Sequence, residues 1–261
     1  MQLSIVAVRG IVMTVDVFQL AIEKRYDELL AVIDRGEVED LDANSPDNCF
    51  TLLHYAVLAD NSLLIRDLIR RGANVSVVDA NRMTPLAWPS SAHSVKALLD
   101  AGADINAIDD FGVSPIFHYW GSDDGDAIEL LVQAGANVNA RNKDGETVLM
   151  HHFMNASEMC ANEVVSVSAL LSAGADVNAV NGSGDTVLHL AADGSIDEDL
   201  IEVLLAAGAN PSAVNASGLT PSDVANDPGI KAIIQRAVLN AELLSLIESS
   251  PDRIKRGDGG I

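Results

Sequence analysis

The residues of this chain best suited to metal chemistry lie near its middle. His151 and His152 are adjacent, and Glu158 and Cys160 follow shortly after them. Imidazole, carboxylate and thiolate groups are the ligands that zinc prefers. Adjacent side chains on a helix point about 100° apart, however, so the two histidines cannot easily share one ion. We therefore expect no metal site, and a metal-dependent enzyme using His151, His152 and Cys160 is the least favoured interpretation.

Other reactive residue types also lack a catalytic pattern. The acidic loop D-D-G-D at 123–126 has too few ligands at the spacing of a calcium loop. The motifs G-x-x-x-x-G-K, G-x-S-x-G and H-E-x-x-H, which serve phosphate binding, serine hydrolysis and zinc proteolysis, do not occur in the sequence. The sequence therefore predicts neither a catalytic centre nor a cofactor.

The elements that would position any site are clearest at 184–215. Thr186 is placed to cap a short helix that has one apolar side. A second helix is predicted over 199–207, because its apolar residues recur at the i, i+3, i+4, i+7 spacing of one buried stripe. Gly208 follows and is expected to end this helix in the left-handed conformation.

This stretch is one copy of a unit that recurs along the chain. A threonine or serine recurs at intervals of 33, 30, 33, 39 and 34 residues, and a terminating glycine keeps step with it. Two short helices cannot bury their own apolar faces, so such a unit is stable only when stacked on its copies. The two series are Thr51, Thr84, Ser114, Thr147, Thr186 and Thr220, and Gly72, Gly102, Gly135, Gly174 and Gly208.

The unit resembles the ankyrin repeat, with its T-P-L-H-x-A followed by L-L-x-x-G-A-D-V-N-A. The resemblance covers roughly residues 17–238 and is closest at 101–107, 134–140 and 173–179. It implies an all-α ankyrin-repeat solenoid, built of stacked helix-turn-helix units with β-turn fingertips on one side. It also implies that His54 and His189, at the histidine of T-x-L-H, hydrogen-bond the neighbouring turn rather than act as general bases.

We expect about six repeats, a degenerate N-terminal cap and a long C-terminal helix. The extension at 1–16 makes a poor signal peptide, and an alternative start at Met13 would shorten it. The helix end and a polar, disordered tail occupy 241–261; the helix either caps the stack or offers an apolar stripe to another chain. The single domain at 17–240 comprises the cap 17–46 and repeats 47–79, 80–109, 110–142, 143–181, 182–215 and 216–240.

The chain is strongly acidic, with 38 Asp and Glu against 16 Lys and Arg and a formal net charge of −22. Between residues 97 and 230 there are 21 acidic residues, and the only basic ones are Arg141 and Lys143. Such a field attracts a basic protein and repels nucleic acid. The alternative is that the acidity serves only solubility.

Cysteine usage and the N-terminal apolar run bear on location. Cys49 and Cys160 lie in different repeats and form no framework of bridges, which favours a reducing, cytoplasmic compartment. The N-terminal apolar run is too short to span a bilayer, so no membrane attachment is expected. We expect a monomer or a weak oligomer.

The middle repeats depart from the family pattern. Where Ala56 and Ala191 stand in well-matched repeats, these repeats carry Pro89, Tyr119 and His152. Pro89 must end or kink a first helix. The surrounding aromatic residues either fill space left by distorted helices or form a binding surface with Trp and Tyr anchors. These aromatic residues are Trp88, Phe111, Phe117, Tyr119, Trp120 and Phe153.

The family's partners are usually held by the fingertips, which include the residue just before the repeat's Thr or Ser. These fingertip residues are apolar in the first half of the chain, and the first two in the second half, Glu146 and Asp185, are acidic. This gradient favours a partner with an apolar patch beside a basic one. The predicted partner-binding residues are Phe50, Met83, Trp88, Phe111, Val113, Tyr119, Trp120, Asp123, Asp124, Asp144, Glu146 and Asp185.

The sequence therefore predicts a non-enzymatic protein-protein interaction module. Its expected partner is a basic protein, which it binds as an inhibitor, adaptor or immunity-type protein. A general ankyrin scaffold is the alternative.

Overall fold

A computed structural model describes residues 4–8, 11–46, 48–119, 125–155, 163–194 and 197–249. The chain forms two compact units, Met1–Ala175 and Asp176–Ile261. The predicted tail falls mostly outside the described residues.

The first unit opens with an antiparallel hairpin that the sequence analysis did not assign. Strand β1 (Ser4–Val8) pairs with β2 (Ile11–Val15), with Ser4 opposite Val15 and Val8 opposite Ile11. All other regular elements of this unit among the described residues are helical. The α-helices are α1 (Val17–Ile22), α2 (Tyr26–Asp34), α3 (Leu52–Leu58), α4 (Ser62–Arg70), α5 (Ala92–Asp100), α6 (Gly125–Gln133), α7 (Val148–Asn155) and α8 (Glu163–Ser172).

The second unit contains two helix pairs. They are formed by α9 (Val187–Asp193), α10 (Glu198–Ala206), α11 (Pro221–Val224) and α12 (Pro228–Ser249). Gly208, predicted to stop α10, has a φ of 91°, in the left-handed region that a C-terminal glycine supplies. Helix pairs thus recur along the chain, and the all-α ankyrin-repeat fold is confirmed.

Local sequence signals explain where the first helices begin. Thr51 and Thr186 each form a capping box with the histidine three residues later, which satisfies free backbone N–H groups at the helix start. Thr220 does the same with Asp223. The core of each repeat then forms from fully buried aliphatic residues, such as Leu53 on α3 and Leu188 on α9.

Two repeats have only a single 3₁₀ turn in place of a first helix, at Pro85–Ala87 and Pro115–His118. Proline suits the first position of such a turn, because that position needs no N–H donor. Pro89, predicted to end or kink the first helix of its repeat, directly follows Trp88, whose backbone is extended with a ψ of 119°. The next helix is capped from the preceding repeat: the Asp60 carboxylate accepts bonds from the Ser91 N–H at 3.1 Å and the Ser94 hydroxyl at 2.6 Å.

Candidate partner-binding surface

Five fingertip turns join the repeats and share one construction. In the first, the Asp79 carboxylate accepts N–H bonds from Asn81 at 2.8 Å and Met83 at 2.9 Å. The Asp79 N–H donates in return to the Met83 carbonyl at 3.0 Å. The first and last residues of the turn therefore pair across it like residues of a hairpin. The five fingertip turns are 79–83, 109–113, 142–146, 181–185 and 215–219.

In the first three turns this pairing turns the last side chain towards the helices, whereas Leu219, at the end of the fifth turn, is 41% exposed. Residues paired directly across a hairpin point to the same side, and the last residues Met83, Val113 and Glu146 are buried, with exposures of 7%, 5% and 7%. Phe50 holds the same place in the repeat and is 8% exposed. The surface position expected for these four residues is therefore wrong, although partner contact by the remaining predicted residues stays a prediction.

The acidic half of the predicted gradient also turns inward. The Glu146 carboxylate accepts a bond from the Asn142 amide at 2.6 Å and lies 3.5 Å from Nδ1 of His151. Asp185 is half-buried and accepts a bond from the Asn215 amide at 2.7 Å. Both acids therefore brace fingertip turns through bonds within the chain.

Most of the central aromatic residues are core residues. Tyr119 is completely buried, and Phe117 and Phe153 are nearly so. Trp88 is half-buried and packs edge-on against Phe50, with the ring centroids 4.9 Å apart. The surface role predicted for Tyr119 is therefore wrong, and its side chain fills space beside the broken first helices.

Two predicted residues are plainly exposed. Phe111 is 54% exposed at a fingertip, and Asp144 lies exposed at the corresponding place of the next one. Trp120, Asp123 and Asp124 lie outside the described residues. Phe111 is therefore the predicted aromatic anchor that is best placed for contact.

A recurrent exposed apolar position was not predicted from the sequence. The residue just before each fingertip turn is exposed, and in four repeats it is aliphatic, whereas the remaining repeat has Arg141 there. These residues alternate with the inward-facing first residue of the turn, so they point outward. Counting back from the turn's Asp or Asn would have found them. The four residues are Val78 and Ile108 in the first unit and Val180 and Val214 in the second.

The two bases within the acidic stretch are used internally. The Arg141 guanidinium donates to the Gly145 carbonyl at 2.6 Å, and the Lys143 ammonium donates to the Asp110 carbonyl at 2.6 Å. In the second unit, residues 176–230 include nine acidic residues and no Lys or Arg. Residues 176–230 are therefore uniformly acidic, and Asp199 and Glu202 on α10 are among the exposed acids.

The predicted role of the two repeat histidines is confirmed. His54 Nδ1 accepts from the Thr51 N–H at 3.2 Å, and its Nε2 lies 3.2 Å from the Met83 carbonyl of the next turn. His189 has the same arrangement with Thr186 and with the Leu219 carbonyl at 3.1 Å. Each ring therefore joins a helix start to the following fingertip.

Two further properties concern the parts of the chain that the structure describes. Those parts contain no group of three or more His, Cys, Asp or Glu side chains placed to hold a metal ion. Glu158 and Cys160, named in the metal hypothesis, fall outside them. The same parts include no helix with the length and apolarity required to cross a bilayer.

Comparison with curated proteins finds ankyrin proteins. Ankyrin repeat and SOCS box protein 6 of Mus musculus and that of Homo sapiens are each 35% identical to this chain over 91 residues. The match covers 33% of this chain and 22% of the relative, so the chain spans about a fifth of the length of these relatives.

Solved structures resemble a larger part of the chain. The ankyrin repeat domain of human ASB11 has a TM-score of 0.72 and 25% identity, covering 85% of this chain and 97% of that one. The ankyrin repeat domain of Bcl-3, described as a unique member of the IkappaB protein family, has a TM-score of 0.66 and 25% identity, covering 85% and 98%.

Family models match over more than half of the sequence. The ankyrin repeat model matches residues 48–80, and the model of three ankyrin repeats matches residues 116–226. These segments contain the three capping boxes, the His189 bridge and three of the five fingertip turns in full. The chain belongs to the ankyrin-repeat family.

Proposed function

We propose that this chain is a non-enzymatic protein that binds a basic protein partner and acts as an inhibitor, adaptor or immunity-type protein. Ankyrin repeats are protein-protein interaction modules. The observation that carries the choice of a basic partner is the charge of residues 176–230, nine acidic residues with no Lys or Arg. A field of one sign speeds encounter with an oppositely charged protein.

Apolar contact would come from the fingertips. Val78, Ile108 and Phe111 are exposed in the first unit, and Val180 and Val214 are exposed in the second. Exposed apolar side chains beside charged ones are typical of interfaces in which an apolar centre is rimmed by polar groups. Each unit therefore offers a surface of the kind that the proposed partner requires.

A general scaffold whose acidity serves solubility is the competing function. One observation favours it: several acids have structural roles. Asp197 caps α10, Asp193 accepts a bond from the Asn226 amide at 3.0 Å, and Asp223 closes a capping box. These acids would be retained whether or not a basic partner exists.

Capture from native lysate at low and moderate salt, followed by stopped-flow association with the captured protein, tests the proposal. We expect the association rate to fall as salt rises, because screening weakens steering. Asp199→Lys should lower the low-salt rate roughly two- to tenfold. Glu39→Lys, the same charge change at an exposed site in the N-terminal cap, is the control. Salt-independent association, or an equal effect of both variants, would favour the scaffold.

A further inference from the structure

Helix α12 is much longer than the other second helices. It has 22 residues, whereas α4, α5 and α10 each have nine. Ile230 and Ile234 near its start are buried, but every residue from 239 to 247 is exposed. The second half of the helix is therefore not covered by the repeats.

The uncovered half is unusually apolar for a solvated helix. Leu239, Leu243 and Ile247 follow at intervals of four residues, and they are 61%, 61% and 49% exposed. At about 100° per residue they form one stripe, on the side of the helix opposite Ile230 and Ile234. We call these three residues the terminal stripe. The only charged residue between 239 and 247 is Glu242, so water is a poor environment for this surface.

We propose that the terminal stripe is a self-association surface, on which the α12 helices of two copies of this chain pair in antiparallel orientation. A two-fold axis near Leu243 would place Leu239 of each copy beside Ile247 of the other. An isologous pair needs only one self-complementary patch. A stripe of about two helical turns is short, so the dimer is weak and forms as the concentration rises.

Charge favours this arrangement of the two copies. Residues 176–230 carry nine acidic residues and no base, so two copies cannot approach through that part of the unit without like-charge repulsion. Residues 237–247 of α12 include a single charged residue, Glu242. Antiparallel pairing also places the two acidic bodies at opposite ends of the helix pair, whereas parallel pairing would place them side by side.

The ends of the stripe are electrostatically complementary in the same arrangement. Arg236 lies about 10 Å before Leu243 along the helix, and the helix ends at Ser249, about 9 Å after it. Antiparallel pairing therefore places each Arg236 near the C-terminal end of the other α12, where the helix dipole carries partial negative charge. The Arg236 guanidinium already donates to Glu202 at 3.0 Å, but both side chains are more than half exposed, so this pair contributes little.

A lipid surface fits the stripe less well. Helices that lie in a membrane interface carry Lys and Arg on the polar face, which anionic headgroups attract. No Lys or Arg lies between 237 and 247, and Glu242 would be repelled. A second copy of the chain is therefore the occupant that the observations favour.

Sedimentation equilibrium of the purified full chain over the micromolar to millimolar range tests the proposal. We expect the mass to rise towards that of a dimer, and the double variant Leu239→Glu/Leu243→Glu to weaken association at least tenfold. Gln235→Glu, an exposed change on the same helix, should leave it unchanged. Circular dichroism of each variant checks that the helix persists. A wild type that stays monomeric throughout, or a double variant that still dimerises, would overturn the proposal.

Cross-linking tests the orientation in a Cys49→Ser/Cys160→Ser background. Leu243→Cys should oxidise to a disulfide dimer, whereas two Gln235→Cys side chains would lie about 24 Å apart and should not react. Equal cross-linking at both positions would exclude the antiparallel pair.

Added salt should strengthen the dimer, because it screens the repulsion between the two acidic bodies. Salt should instead weaken binding to a basic partner, so the two proposals can fail separately.

Discussion

The Tyr119 hydroxyl donates hydrogen bonds to a segment that does not continue as a helix. It donates to the Leu86 carbonyl at 3.1 Å and lies 3.3 Å from the Trp88 carbonyl. Leu86 lies in the 3₁₀ turn and Trp88 directly follows it, and because the turn does not continue as a helix, the repeat's own helical backbone does not satisfy these carbonyls. Burial also raises the pKa of Tyr119, which keeps the hydroxyl protonated as a donor.

Tyr119→Phe should therefore lower the free energy of unfolding by about 1–3 kcal/mol, because it leaves buried carbonyl groups without a donor. Urea denaturation measures this change. Tyr55→Phe is the control, since Tyr55 is only half-buried, and should cost less than about 0.5 kcal/mol. An equal loss in both variants would show that the Tyr119 hydroxyl has no special role.

His54 makes stability depend on pH. Burial lowers the pKa of His54 below the ordinary value of 6.5, and a proton on Nδ1 would face the Thr51 N–H at 3.2 Å. Between the two pKa values the unfolded chain binds the proton more readily than the folded chain does. The contribution of neutral His54 is therefore complete above pH 6.5 and is lost as the pH falls towards the lower, folded value.

We expect the slope of unfolding free energy against pH below 6.5 to include at most about 1.4 kcal/mol per pH unit from His54. His54→Gln should reduce that slope and should be less stable than the wild type at neutral pH. His93→Gln, at an exposed histidine, is the control and should keep the wild-type slope. Urea midpoints from pH 5 to 7.5 measure it. A His54→Gln slope equal to the wild type's would contradict the assignment.

At the scale of elements, neighbouring fingertips touch through their backbones. The Ala216 N–H donates to the Ser183 carbonyl at 3.0 Å. Gly184 lies beside this bond: a Cβ there would be 2.9 Å from the Ala216 nitrogen, whereas a Cβ on Gly218 would meet nothing within 4 Å. The φ values of these glycines, 76° and 77°, are nearly equal. Substitutions at these two glycines therefore distinguish the cost of a left-handed backbone from the cost of a close contact.

Gly184→Ala should destabilise the chain more than Gly218→Ala does. Both variants incur a left-handed penalty of about 1–2 kcal/mol, and only the first must also push the 216 backbone away. Urea denaturation of the two variants gives the difference. Equal losses would indicate that the fingertips separate at no cost.

Helix positions were largely predictable, because the signals that end helices act over a few residues. Thr186 and Gly208 bound the predicted pair of the fifth repeat as expected, and the second helix begins at Glu198, one residue earlier than predicted. The N-terminal hairpin was missed, since its strands consist of an apolar run without clear alternation. The reduction of two first helices to 3₁₀ turns was anticipated only at Pro89.

At the scale of the molecule, the formal charge of −22 acts in two opposite directions. It favours a basic partner and opposes every contact between copies, except where charge is sparse. The salt dependence of partner binding and that of self-association should therefore have opposite signs. The division into two compact units could not be read from the sequence, because the repeat period runs through residue 175 without interruption.

By itself the sequence determined the repeat period, the helix ends, the histidine bridges and the excess of negative charge. These depend on residue type and short spacing, which a sequence displays directly. Only the tertiary structure decided which fingertip side chains reach solvent. The pairing of Asp79 with Met83 turns both inward and leaves Val78 outside, and hydrophobicity alone could not have distinguished an apolar residue that packs on the helices from one that faces water.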